Sequence, residues 1–175
     1  MAQTCIYPVT QELLGLAENL GCGNISLSTE NRDWQGRVGH WDLVTLIDAQ
    51  NVGFSVDSGE IVIRYFSDHV HFGEADFREA GTFLTRLLAC PLRRVQKYRG
   101  RGLAAEKYTL LLPDGQEVSG GGWIWYRPLS RLNPFCRRRR VTETFQYDRE
   151  KGLFTTTQPW QPNPAPPGRW REKRL

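Results

Sequence analysis

The sequence lacks any long apolar run. No stretch of its 175 residues approaches the roughly 20 consecutive apolar residues that a membrane-spanning helix needs. The first residues also lack the positively charged start and apolar run of a secretory signal peptide. Together these absences predict a cytoplasmic protein that does not enter a membrane.

Cysteine pairs with metal-ligand spacing are absent. None of the four cysteines belongs to a Cys-x-x-Cys motif, which gives a cysteine-based zinc site little support. Two disulfides are arithmetically possible, but reduced thiols fit a cytoplasmic protein better. The cysteines are Cys5, Cys22, Cys90 and Cys136.

Catalytic motifs are lacking too. The chain contains no Gly-x-Ser-x-Gly elbow, the signature of α/β-hydrolases. Cys22, which lies between two glycines at a predicted helix end, and His40 are candidates for a nucleophile–base pair. A cysteine beside a helix-ending glycine is more often incidental, so the sequence favours a non-enzymatic role.

Basic residues are scarce in the first half of the chain. Residues 1–90 hold 5 basic and 12 acidic side chains, a net charge of −7. Residues 91–175 hold 18 basic and 7 acidic side chains, a net charge of +11. This asymmetry predicts either an anionic partner for the second half or electrostatic packing of one half against the other.

Two segments have the apolar spacing of amphipathic helices. The clearer one spans 75–90, where apolar residues recur at three- and four-residue steps until Pro91. The other spans 9–20 and ends at Gly21. We expect the core to contain Leu13, Leu16, Leu20, Ile61, Ile63, Phe77, Phe83, Leu84, Leu87, Leu110 and Val141.

Period-two alternation and turn signals predict strands around these helices. Residues 29–39 are polar and glycine-containing, which predicts a loop. The predicted strands are 24–29, 41–48, 52–56, 60–66, 69–72, 92–99, 104–112, 116–119, 123–127, 138–147 and 153–157. Residues 1–157 are therefore expected to form one α+β domain, in which a curved antiparallel sheet packs against two helices. Both halves read as a helix followed by four or five antiparallel strands.

A Ser-Gly-Gly-Gly run occupies residues 119–122. A phosphate-binding loop would be followed by a helix with a lysine and a hydroxyl at fixed offsets. A tryptophan-rich strand is predicted there instead, so the run is expected to form a bend or a bulge.

The basic residues of the second half cluster on two predicted segments. Guanidinium groups beside aromatic rings suit single-stranded nucleic acid, where phosphates pair and bases stack, and they also suit an acidic protein surface. No RRM, KH or zinc-finger signature is present, and a solvated basic edge that discourages aggregation is the alternative. The predicted anion-binding residues are Arg93, Arg94, Lys97, Arg99, Arg101, Arg137, Arg138, Arg139 and Arg140, and the predicted aromatic surface is Tyr98, Trp123 and Trp125.

His69 and His71 alternate on one predicted strand and are followed by Glu74. Paired histidines with a nearby carboxylate can bind a divalent metal, and the His-x-His-x-x-Glu spacing resembles the metal signature of cupins. The gap before the glutamate is shorter than in cupins, and a helix follows where cupins have strands. We therefore expect no metal site and no cofactor.

Residues 158–175 form a proline-rich tail with a basic end. Five prolines favour an extended polyproline conformation. Because exposed indole has apolar area to bury, we expect Trp160 to dock on the domain or on a second copy, which would give a homodimer. A linker whose aromatic residues await another partner is the alternative.

These features predict a non-enzymatic cytoplasmic binding protein. Its basic second half, residues 91–175, is expected to engage an acidic protein surface or a nucleic acid. The alternative is a small-molecule-binding protein or a hydrolytic enzyme with a pocket between sheet and helix.

Overall fold

The computed structural model describes residues 5–34, 37–100, 102–124 and 137–157. Within them, two α-helices accompany two five-stranded antiparallel sheets. The α+β class predicted from the sequence is confirmed. The strands divide into two sheets, where one had been expected.

The first half contains helix α1 followed by a meander. The elements are α1 (Pro8–Asn19), β1 (Ser26–Trp34), β2 (Arg37–Ile47), β3 (Val52–Val56), β4 (Glu60–Tyr65) and β5 (Asp68–Gly73). The five strands lie in the sheet in chain order. Asp48–Gln50 form a short 3-10 helix between β2 and β3.

The second structural half, from Glu74 onward, begins with a 3-10 turn, Glu74–Asp76, that leads into the central helix. The elements are α2 (Phe77–Ala89), β6 (Leu92–Arg99), β7 (Gly102–Leu111), β8 (Glu117–Ile124), β9 (Arg138–Asp148) and β10 (Leu153–Thr156). Their order is β10-β9-β6-β7-β8, so the chain crosses from one edge of the sheet to pair β9 with β6. The second half therefore departs from the simple meander of the first.

No helix in the described part of the chain is long and apolar enough to cross a membrane.

Two local predictions were wrong. Residues 29–39 had been expected to form a loop, but most of them belong to the long β1–β2 hairpin, in which Ser26 lies opposite Thr45 and Trp34 opposite Arg37. Separate strands had been predicted at 116–119 and 123–127, but β8 continues without a break from Glu117 through Ile124, and 125–127 lie outside the described residues. The first prediction failed because β1 is an edge strand, and an exposed edge strand can consist of polar residues without the alternating apolar pattern of a buried strand.

The glycine run in β8 forms the predicted bulge. Pairing with β7 shifts between Tyr108 and Thr109. Gly121 and Gly122 have backbone φ values of 112° and 153°, which residues other than glycine rarely adopt. A Cβ on Gly122 would also lie 2.6 Å from the carbonyl oxygen of Glu106, so the close approach of β7 requires glycine there.

The core lies between the helices and the sheets. Most of the predicted core residues are buried, and Leu84, Leu87, Ile61 and Ile63 are fully buried. Leu16 was wrongly assigned, since it is 36% exposed. Leu20, Phe77 and Val141 are only partly buried.

Phe66, in the turn between β4 and β5, joins the first sheet to the second. Its φ of 52° is left-handed, an unusual conformation for an aromatic residue. The ring packs against Tyr108, Phe145 and Phe154 of the second sheet, with centroid distances of 6.0, 5.0 and 5.5 Å. The amide of Gln50 adds two hydrogen bonds, of 2.8 and 2.7 Å, to the backbone of Phe154.

The N-terminus of α1 is capped from another element. The N-cap residue, Tyr7, makes no side-chain cap of its own. The fully buried carboxylate of Asp42 on β2 accepts hydrogen bonds from the backbone N–H groups of Ile6 and Tyr7 and from the hydroxyl of Thr10. A carboxylate at this position satisfies N–H groups that have no partner within the helix and complements the helix dipole.

Asp42→Ala is expected to lower the free energy of unfolding by about 1–3 kcal/mol, because it removes a cap and leaves buried donors without an acceptor. Urea unfolding followed by circular dichroism measures this loss. Glu12→Ala, at an exposed site on the same helix, is the control and should change stability by less than about 0.5 kcal/mol. Equal effects of the two substitutions would contradict the capping role.

Candidate binding surface

Four of the nine predicted anion-binding residues meet at one end of the second sheet. β6 and β9 pair without a register shift, which places Lys97 opposite Arg140 and Arg99 opposite Arg138. Directly opposed side chains share a face of the sheet, so these four residues form one surface. We call Lys97, Arg99, Arg138 and Arg140 the cationic face. All are exposed except Arg99, which is half-buried.

The cationic face consists of two like-charge cross-strand pairs. Like charges placed directly opposite each other destabilise a sheet. Within the described residues, none of these four side chains forms an ion pair. The arrangement therefore has an electrostatic cost that the described part of the chain does not compensate, and an anion bound there would relieve it.

Arg93 lies on the same face of β6 but already has a partner. Its guanidinium is 2.6 Å from the carboxylate of Glu117. Both side chains are partly exposed, at 31% and 54%. Arg93 is thus less free to bind an external anion than the cationic face is.

Arg94 points to the opposite face and belongs to a polar network inside the molecule. It donates to Glu143, and its Nε lies 4.0 Å from the Glu106 carboxylate, whose side chain is only 2% exposed. Glu106 also accepts hydrogen bonds from the Ser67 hydroxyl and, at 2.7 Å, from the Gln96 amide.

Aromatic rings flank this network. The Arg94 guanidinium carbon lies 4.9 Å from the ring centroid of Phe145 and 6.0 Å from that of Phe66. Tyr108 lies beside Ser67, with 3.0 Å between the two hydroxyl oxygens. These contacts give the half-buried guanidinium of Arg94 both carboxylate and ring partners.

Burial and charge both act on the ionisable groups of the network. Burial tends to lower the pKa of Arg94, but the hydrogen bond and charge of Glu143, with a contribution from Tyr108, outweigh it and raise that pKa. Burial raises the pKa of the Tyr108 phenol, and the negative charge of Glu106 acts in the same direction. Arg94 therefore stays a cation and Tyr108 a neutral donor, as the network requires.

The predicted aromatic surface lies only partly within the described residues. Tyr98 is on the opposite face from Lys97, where the Arg139 guanidinium carbon is 4.4 Å from its ring centroid and its hydroxyl donates to Gln96 at 3.0 Å. Trp123 lies in β8, where it is the pairing partner of Glu106 on β7. Trp125, Arg101, Cys136 and the tail at 158–175 lie outside the described residues.

The candidate metal ligands do not assemble into a site. His69 and His71 lie on one exposed face of β5, with ring centroids 4.8 Å apart, and His71 is 2.6 Å from Glu60. Glu74 is exposed on the following 3-10 turn. Over the ranges that the structure describes, no group of three or more His, Cys, Asp or Glu residues is placed to hold a metal ion.

The candidate nucleophile, Cys22, lies in the hydrophobic core. It is only 4% exposed, and burial raises the pKa of its thiol. His40, its proposed base, is exposed on β2. A thiol held in the protonated form and shielded from solvent is a poor nucleophile.

The sequence did not indicate that Ser67, Glu106 and Phe66 belong to the network around Arg94. Ser67 and Phe66 come from the β4–β5 turn and meet Glu106 and its neighbours from a distance of 39 or more positions along the chain. The only sequence signal was a carboxylate, Glu106, alternating with Tyr108 on a predicted strand.

Comparison of the chain with protein-family models, curated proteins and solved structures finds no match.

Proposed function

We propose that the protein is a non-enzymatic cytoplasmic binding module whose cationic face engages an acidic protein surface. The observation that carries this proposal is the pairing of Lys97 with Arg140 and of Arg99 with Arg138, without an ion pair to any of them in the described chain. Placing four cations so close together is unfavourable for the fold alone. A partner that supplies carboxylates turns this cost into binding energy.

The cationic face favours an acidic protein over a nucleic acid. Binding of single strands relies on aromatic rings that stack with bases. Among the described side chains, no aromatic residue shares the face of Lys97 and Arg99, and Tyr98 lies on the other side of the sheet. Carboxylates need only the guanidinium and ammonium groups that are present.

The free thiols of Cys5, Cys22 and Cys90 support the assignment to a reducing compartment. They are the three cysteines within the described residues, and none of them is in a disulfide. Fractionation of cells that express the tagged chain tests the location, and recovery outside the cytoplasm would contradict it.

Reversing the charge of the cationic face should weaken the binding of an acidic probe. The variant Lys97→Glu/Arg99→Glu is expected to bind polyglutamate at least about tenfold more weakly than the wild type, since exposed charge pairs contribute up to about 1 kcal/mol each and reversal adds repulsion. Wild-type affinity should also fall as salt is raised, because the contacts are exposed. Isothermal titration calorimetry at two salt concentrations measures both effects.

The matched control is Arg78→Glu/Arg86→Glu, which makes the same change in net charge on the exposed face of α2. It should bind polyglutamate nearly as well as the wild type. Equal losses in the two variants would mean that net charge, not the cationic face, drives binding. Tighter binding of a single-stranded oligonucleotide than of polyglutamate would favour the nucleic-acid alternative.

A further inference from the structure

One edge of β9 has no neighbouring strand along most of its length in the described chain. On one side, β9 pairs with β6 from Arg138 to Phe145. On the other side, β10 covers only Phe145–Asp148, and the N–H of Thr157 adds a bond to the carbonyl of Thr144. The segment from Arg138 to Glu143 therefore forms an open edge, which lies directly beside the cationic face.

The backbone groups that point to this edge can be identified. The carbonyls of Thr144 and Asp148 accept from the β10 side, whereas the carbonyl of Arg137 accepts from Gly100 on the β6 side. Because residues in an antiparallel pair alternate in the direction of their N–H and C=O groups, the groups of Arg138, Arg140 and Thr142 point to the open edge. Arg138 and Arg140 thus offer both a backbone edge and a cationic side chain.

We infer that an extended acidic peptide adds to the open edge of β9 as an antiparallel strand. This inference rests on the proposed function for the sign of the partner's charge and adds the way in which it binds. Residues of the added strand that lie opposite Arg138 and Arg140 are two positions apart and share the cationic face. The edge therefore selects Asp or Glu at alternate positions, and the residue between them lies opposite Arg139, on the other face of the sheet.

Other occupants fit the edge less well. A second copy that paired β9 with β9 would bring arginine runs together, which is unfavourable. The chain's own continuation at 158–175 contains Pro159 and Pro162, which have no N–H to donate, and ends in a basic stretch. Charge and hydrogen-bonding capacity both favour an external acidic strand, the recognition mode known as β-augmentation.

Labelled heptapeptides test the spacing of the acids on the full chain. Thr-Glu-Val-Glu-Val-Glu-Thr places its three acids on one face of a strand, whereas Thr-Glu-Glu-Val-Val-Glu-Thr has the same composition and no two acids two positions apart. Fluorescence polarisation should give about three- to fivefold tighter binding of the first peptide, since the second can place only one acid opposite Arg138 and Arg140 and so loses one exposed charge pair. Arg140→Gln should reduce this preference more than Arg139→Gln, because Arg139 lies on the other face.

N-methylation of the alternating peptide tests the backbone bonds. Methyl groups on the three Glu nitrogens remove the donors that face β9 and should weaken binding by at least about tenfold. Methyl groups on the two Val nitrogens, which face away, should have little effect. In hydrogen-exchange NMR, the peptide should protect the amides of Arg138, Arg140 and Thr142.

The possible failures are distinguishable. Equal binding of the two heptapeptides, with no effect of N-methylation, would overturn strand addition while leaving an acidic partner for the cationic face. Protection of the three amides before any peptide is added would show that the chain itself covers the edge, and would also overturn the inference. Failure of the heptapeptides and of polyglutamate to bind would overturn the proposed function as well.

Discussion

Replacing Leu84 with Ala is expected to lower the free energy of unfolding by about 2–5 kcal/mol. Leu84 is fully buried in the middle of α2 and belongs to the hydrophobic core. This helix contacts α1, β4, β5 and β9, so it packs against elements of both halves of the chain. A cavity there cannot be filled by moving one side chain, because several elements would have to shift together.

Chemical denaturation of the variant measures this loss. Thr82→Ala, at an exposed site two residues earlier in α2, is the control and should change stability by no more than about 0.5 kcal/mol. A midpoint for Leu84→Ala that matched the control would show that α2 is not part of the cooperative core.

Most elements of this fold could be predicted because their local signals agree with their surroundings. In α2 the apolar period, the acidic first turn and Pro91 all define the same helix, and the prediction of 75–90 is close to the observed Phe77–Ala89. The strands β3 and β6 were predicted with the observed bounds, Val52–Val56 and Leu92–Arg99. The residues of β3 are all buried, and β6 lies between Pro91 and the Gly-Arg-Gly sequence at 100–102.

The failures arise where tertiary context decides. The β1–β2 hairpin extends through polar residues whose strand conformation depends on cross-strand hydrogen bonds. The strand order of the second sheet depends on the pairing of β9 with β6, whose partners lie 39 to 53 positions apart in the chain. The left-handed turn at Phe66 is stabilised by aromatic neighbours from β7, β9 and β10, which no local pattern indicates.

The candidate site was predictable in composition but not in orientation. Alternation along β9 sends Arg139 to one face and Arg138 and Arg140 to the other. Alternation along β6 likewise places Arg93 and Arg94 on opposite faces, although both had been predicted to bind anions. The identity of the Arg94 partner, Glu143, depends on a pairing that spans 49 positions in the chain.

The network around Arg94 has a sharp energetic asymmetry. With all members present, the guanidinium compensates the carboxylates of Glu143 and of the nearly fully buried Glu106. Without the guanidinium, Glu106 keeps its hydrogen bonds from Ser67 and Gln96 but forms no other ion pair among the described residues. Removing one partner of a buried ion pair costs more than the pair itself contributes, because the remaining charge stays desolvated.

Arg94→Met is therefore expected to lower the free energy of unfolding by about 3 kcal/mol. The matched control is Arg93→Met, which removes the neighbouring arginine and its exposed pair with Glu117 and should cost about 1 kcal/mol or less. Adding Glu106→Gln to Arg94→Met should restore part of the lost stability, because the orphaned charge is removed while an acceptor oxygen remains for Ser67. Urea unfolding of the wild type, the two single variants and the double variant measures these differences in the free energy of unfolding. Equal effects of the two arginine substitutions, or a double variant no more stable than Arg94→Met, would contradict the role of Arg94 as the cation that compensates Glu106.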